Sequence, residues 1–185
     1  MGLDLVESSR LLAYERLHGL PTRLAHVAGV SARLARAAKL VPVDLRPLAV
    51  AAAWLHDIGY APSVRRTGFH ALDGARFLET NGYPALVCQL VGYHSGAEYE
   101  AAVRGLSAEL AQLPVPYGTV LDLITWADMT TSPEGAPVSV TQRVAEILTR
   151  YPESDPVHQA IIAAEPTVAR AVKRVEACLG ECVPG

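Results

Sequence analysis

Apolar residues in this chain recur at three- and four-residue steps, and no segment alternates apolar and polar as a half-buried strand does. The clearest case is PTRLAHVAGVSARLARAAKL, residues 21–40, where Leu24, Val27, Val30, Leu34 and Ala38 share one helical face. That spacing predicts an all-α fold, a helical bundle. The 185 residues suffice for one domain with a full core. No repeat, low-complexity tract or linker divides the chain.

The helices can be bounded from their end signals. A first is expected over Ser8–His18, stopping at HGLP. The second begins beside Pro21 and Thr22, a proline and a capping residue, and ends before VPVD. Asp44 is expected to cap a third, LRPLAVAAAWLHDI, which Gly59 then closes. Almost wholly apolar, this helix belongs at the centre of the bundle. YAPSVRRTG reads as a loop. FHALDGARFLET and PALVCQLVGYH read as two helices broken at NGYP, and SAELAQL as a short one. GTVLDLITWADMTT is longer and apolar, and two terminal helices are expected near 139–151 and 156–179.

Composition removes several function classes. Half of the residues are hydrophobic and 19% are charged, a globular balance. The formal charge of -3 leaves no basic footprint for a dedicated nucleic-acid binder. Positive charge is carried almost entirely by Arg, the better bidentate partner for phosphate; Lys39 and Lys173 are the lysines. Cys88, Cys178 and Cys182 give no disulfide framework, and the tail pair in CLGECVPG reads as two incidental thiols at a helix end. No run reaches the ~18 apolar residues of a spanning helix. MGLDLVESSR is acidic and polar, unlike a signal peptide, and Val6 breaks the myristoylation pattern. A cytoplasmic protein without membrane association is expected, its oligomeric state open.

Against this background, a few polar residues interrupt the most apolar helices. His26 lies within LAHVAGV, and His56 and Asp57 end the central helix in AWLHDIGY. His70 opens FHALDGARF, His94 ends LVGYHSGA, and Asp128 ends LITWADM. Buried ionisable groups are costly unless paired or metal-bound. His18 and His158 sit in polar contexts and read as surface or capping residues. Neutral imidazoles and carboxylates without thiolates suit Mn, Fe, Co, Ni or Zn at a reactive site rather than a purely structural zinc. An aspartate between two ions can bridge them, as a two-metal site about 3.5–4 Å across requires. Spacing alone leaves convergence open, because His26 and His56 lie on different helices.

The ordered series His26, His56-Asp57, Asp128 resembles the defining pattern of the HD-domain superfamily of metal-dependent phosphohydrolases, and LHDIG is close to its best-known signature. The resemblance covers roughly residues 20–135, the core of the metal site. The helices near 139–179 complete a single domain of the HD type over 1–185. It implies one divalent ion on His26, His56, Asp57 and Asp128, with His70 and His94 as ligands of a second ion, as in the two-metal branch. GFHALDGARFL and GYHSGA look most like small bacterial HD hydrolases, including those that cleave diadenosine tetraphosphate symmetrically. Many two-metal members carry adjacent histidines where this chain has Tyr93-His94.

Each assignment has a plainer counterpart. Asp128 reads as a ligand or as a cap on the following turn, His70 as a ligand or a first-turn helix residue, and His94 as a ligand or a favourable C-terminal charge. Arg65 and Arg66 read as phosphate binders or a solvated loop pair, and Arg23, three positions before His26, as a weaker phosphate candidate. Asp73, one turn after His70, reads as a catalytic residue that orients its ring or activates water, or as a surface carboxylate. Tyr60, Tyr93 and Trp126 read as base-stacking rings or as packing. The leading expectation is a phosphohydrolase acting on a nucleotide or small phosphorylated metabolite through a metal-bound hydroxide, with Asp57 in the reacting centre. The alternatives are a di-iron HD oxygenase, a non-catalytic metal- and nucleotide-binding regulator, and a helical domain without metal.

Overall fold

The computed structural model describes residues 4–116 and 118–181. Cys182 therefore lies outside the described residues, while Cys178 is exposed on the last helix. Among the described residues the architecture is all-α. The helices are α1 Leu5–Leu17, α2 Pro21–Ala37, α3 Arg46–Leu55, α4 His70–Thr80 and α5 Ala85–Tyr93. They continue as α6 Ala97–Arg104, α7 Ser107–Leu110, α8 Thr119–Met129, α9 Val140–Arg150 and α10 Pro156–Glu181. Short 3-10 turns follow α2, lie at Ile58–Tyr60, and follow α5 at His94–Gly96. No described helix is long and apolar enough to cross a membrane.

The small, apolar α3 is the hub, with Ala49, Ala51, Ala52, Ala53 and Leu55 fully buried. It packs against α1, α2, α5 and α8. Alanine on several faces lets neighbouring helices approach closely, so the ends of α3, α4, α5 and α8 reach one region. The long α10 lies across α6, α8 and α9.

Some expected boundaries are corrected. Asp44 does not cap α3; Leu45 takes the N-cap position without a side-chain bond, and Pro47 in the first turn sets the start. Thr22 does not cap α2 either, because Leu20 is the N-cap and Pro21 opens the helix. Helix α6 is not among the expected elements. It is set off by Gly96 and Gly105, both in the left-handed region at φ 77° and 70°. By contrast, α9 starts where it was expected, on a capping box in which Ser139 and Gln142 satisfy each other's backbone N–H.

Gly59 does not close α3, which ends at Leu55. It sits in the following 3-10 turn, where a Cβ would stand 2.0 Å from the His70 carbonyl oxygen. Only glycine lets the His56-Asp57 turn press against the start of α4. Gly29 plays the same part on α2, since a Cβ there would stand 2.5 Å from the Gly135 carbonyl oxygen. That contact holds α2 against the loop after α8.

Overpacking of this kind costs about 1–3 kcal/mol, occasionally more, and here the obstructing atom is backbone. Gly59→Ala is expected to lower unfolding stability by about 3 kcal/mol, measured by urea denaturation. Gly19→Ala, with open space around it, is expected to leave the midpoint nearly unchanged. Equal midpoints for the two variants would contradict the close-approach account.

Candidate metal centre

Five chain segments deliver the polar cluster. His26 projects from α2, His56 and Asp57 follow α3, His70 opens α4, His94 follows α5, and Asp128 lies in the last turn of α8. His26, His56, Asp57, His94 and Asp128 are all buried, and His70 is half-buried. One donor atom each from His26, His56 and Asp128 lie within 4.8 Å of one another, and the same holds for His56, Asp57 and His94. His70 joins the second group, its Nε2 standing 3.6 Å from Asp57 Oδ1 and 3.2 Å from His94 Nε2.

Backbone carbonyls fix the protonation of three rings. The Nδ1–H of His26 donates to the Ser132 carbonyl, that of His56 to Ala53 and that of His94 to Val91, at 3.0, 2.8 and 2.7 Å. A carbonyl only accepts, so each Nδ1 carries a proton, and a ring in its neutral form then presents the Nε2 lone pair. The lone pairs then face other acceptors. His26 Nε2 stands 2.9 Å from Asp128 Oδ1, and His56 Nε2 stands 3.8 Å from Asp57 Oδ1 and 3.9 Å from Asp128 Oδ1. His56 Nε2 is buried with no hydrogen-bond partner.

Acceptors gathered against acceptors require positive charge between them, as protons or as a metal ion. The spacing fits a metal. Two ligands about 2.0–2.2 Å from a common ion stand roughly 3–4 Å apart, the range these atoms occupy. The donor set of imidazoles and carboxylates suits a divalent transition metal.

Further groups hold the carboxylates in place. Arg23 donates to Asp57 Oδ2 at 2.8 Å, which leaves Oδ1 facing the histidines. The Ser95 hydroxyl donates to Asp128 Oδ2. Ser95 itself sits at φ 53°, a left-handed conformation that serine seldom adopts, and it stands on the turn that carries His94. Burial alone would raise the pKa of Asp57, but Arg23 and the histidines outweigh it and hold the carboxyl well below the usual range. Burial would raise Asp128 too, but the neighbouring His26, His56 and Arg143 outweigh it and hold the carboxyl well below the usual range. Burial pushes His56 down to about 4 and His70 to about 3, against the pull of Asp57, so both rings are neutral near pH 7.

Several sequence expectations are revised by this geometry. Asp73 is buried, but it accepts bonds from the backbone N–H groups of Arg66, Thr67 and Gly68 and from the Thr67 hydroxyl. It ties down the 66–68 loop and neither orients His70 nor reaches the cluster. Arg65 and Arg66 are exposed outside the cleft, and the Arg66 guanidinium donates to the carbonyls of Arg65 and Ser63. Arg23 is at the centre, as the partner of Asp57. Tyr93 turns its hydroxyl to the carbonyls of Leu110 and Leu113, while Trp126 is buried against Arg33. Tyr60 lies between the Arg23 guanidinium and the His70 ring, at 3.9 and 4.3 Å.

The cluster forms one wall of a cleft of about 650 Å³, its open mouth included. Helices α9 and α10 supply the opposite wall. From there Arg143, itself buried, brings a guanidinium nitrogen to 3.9 Å from Asp128 Oδ1. Sequence reasoning missed Arg143, Arg150 and Ser95. The strongest available signal was the pair of arginines seven residues apart on the amphipathic α9, two turns along one face.

A family model described as the HD domain matches residues 23–131, more than half of the chain. The chain belongs to the HD-domain family. The match runs from Arg23 to Thr131 and so takes in all six clustered histidines and aspartates, while α9 and α10 lie beyond it. HD domains form a superfamily of metal-dependent hydrolase type, and the His/Asp groups here are suited to hold the metal. No curated protein and no solved structure matches the chain.

The depressed imidazoles make the metal-free HD domain sensitive to acid. Unfolded histidine titrates near pH 6.5, so between that value and about 4 the unfolded chain binds protons that folded His56 and His70 do not. Stability therefore falls as pH drops through this window. Asp57 and Asp128, with folded pKa values below the unfolded ones, lose their contribution only at lower pH. Urea midpoints of chelator-treated protein are expected to fall between pH 6.5 and 4, and His70→Gln to reduce the slope. A flat profile would contradict the buried neutral rings.

Proposed function

We propose that this HD domain is a metal-dependent phosphohydrolase, cleaving a phosphate ester or anhydride of a nucleotide or small phosphorylated metabolite. His26, His56, Asp57 and Asp128 hold one divalent ion in this reading, and His70 and His94 hold a second together with Asp57. The observation that carries it is the partnerless, buried Nε2 of His56, a lone pair placed 3.8 and 3.9 Å from two carboxylate oxygens. Such an arrangement is stable with a cation among these atoms.

A bound divalent ion supplies Lewis acidity and ionises a water at neutral pH. The chain supplies the positioning. Asp57 Oδ1 faces both His56 and His70, so it is the oxygen shared between the two halves of the centre. Arg23 and Ser95 keep the outer oxygens of Asp57 and Asp128 occupied, so the inner ones do not rotate away. Helices α9 and α10 cover the cleft and limit water at the reacting phosphorus. The whole chain, 1–185, acts as one unit in this account, with a small phosphorylated molecule as its partner and the cytoplasm as its setting.

Phosphate release from a panel of phosphomonoesters and nucleotides, with Mn, Fe, Co or Ni and again after chelation, tests the reading. Metal-dependent release that disappears in Asp128→Ala is expected. Ser95→Ala is expected to weaken metal affinity about ten- to a hundredfold. Oxygen consumption without phosphate release would replace hydrolysis with oxidation, and no reaction under any metal would leave a binding module.

A further inference from the structure

The cleft wall opposite the cluster is unlike the cluster itself. Helix α9 presents Arg143 and Arg150 on either side of Glu146, which accepts bonds from both. Two guanidiniums thus share one carboxylate, which leaves one positive charge in excess among these three residues of α9. The Arg143 side chain is 5% exposed, yet its Nε has no hydrogen-bond partner. The unpartnered Nε–H belongs to a guanidinium whose Nη2 stands 3.9 Å from Asp128 Oδ1, and it is suited to an anionic oxygen from outside the chain.

Beyond the arginines and Tyr151, whose hydroxyl accepts from Arg23 at 3.4 Å, the wall is apolar. Val157, Ala160, Ile161 and Ala164 follow one another at three- and four-residue steps on α10, and Met129 and Ile147 extend the patch. None of these six side chains offers a hydrogen bond. Glu100, which also lines the cleft, is held by Arg104 at 2.6 Å. A nucleobase or a ribose placed against this stripe would lose its hydrogen bonds to water without replacement, whereas an alkyl or aryl group would gain from burial.

We propose that Arg143 and Arg150 grip the phosphoryl group and that the α10 stripe receives the organic part, so that the substrate is a small alkyl or aryl phosphomonoester rather than a nucleotide. The inference rests on the phosphohydrolase reading and narrows its substrate class. In the reaction, water oxygen bonds to phosphorus and the P–O bond to the organic group breaks. The departing alkoxide or phenoxide takes up a proton, giving an alcohol or phenol and inorganic phosphate. The grip and the stripe both lie past residue 131, outside the family match.

Calorimetric binding of phenylphosphonate, methylphosphonate and AMP to the metal-loaded full chain tests this without relying on turnover. Phenylphosphonate is expected to bind at least tenfold more tightly than either of the others. Arg143→Met and Arg150→Met are each expected to weaken it about tenfold or more. Arg150 is 31% exposed in its side chain, so its variant serves if Arg143→Met fails to fold. Val157→Ser is expected to reduce the preference for phenyl over methyl while leaving methylphosphonate affinity in place. Tighter binding of AMP, or unchanged phenylphosphonate affinity in Arg150→Met, would overturn the proposal even if phosphate is released from nucleotides. Arginine-dependent phenylphosphonate binding with no phosphate release from any ester would instead uphold the pocket and overturn the hydrolase reading.

Discussion

Three imidazole lone pairs and two carboxylates are buried against one another, and such a cluster is repulsive until a cation joins it. The surrounding structure shows how this is managed. Carbonyls at the ends of α3 and α5, and after α8, accept the Nδ1 protons of His56, His94 and His26. With those protons committed, the rings cannot escape by changing tautomer, and their lone pairs stay inward. Arg23 and Ser95 restrain the two aspartates from outside. The cluster is therefore held in its electrostatically unfavourable shape by the fold, which is the pre-organisation that a metal site requires.

The same demand explains the close backbone contacts. Gly59 lets the turn after α3 touch the start of α4, which puts His56 and Asp57 beside His70. Gly29 lets α2 touch the loop after α8, which puts His26 beside Asp128 and the Ser132 carbonyl. Ser95 in its left-handed turn carries His94 on one side and reaches Asp128 on the other. Each device sacrifices some local freedom to bring two ligand-bearing segments together.

Much of this could be read from the chain before its fold was seen. His26, His56, Asp57, His94 and Asp128 stood out because they interrupt apolar helical faces, and they are buried together. His70 followed from the same pattern. What failed was direction. Asp73 is one turn from His70 in sequence, but backbone N–H groups of the preceding loop capture its carboxylate. Arg65 and Arg66 lie between ligands in sequence, yet that loop turns them to solvent. Gly59 looked like a helix stop and is in fact a contact point. Arg143 and Arg150 were invisible because their importance depends on α9 folding back over a site built by α2 to α8, which local spacing cannot reveal. Ser95 has no signal in the sequence, because its left-handed backbone and its bond to Asp128 arise only in the fold.

The most direct test of the central claim is the metal content per chain after loading with Mn or Fe and removal of free ions, measured by elemental analysis alongside a His56→Ala variant. Tightly held metal in the wild-type chain, up to two ions, with a clear loss in the variant, is the predicted result. A wild-type chain that retains none would contradict it, leaving the acceptors of the cluster to be reconciled by protons alone.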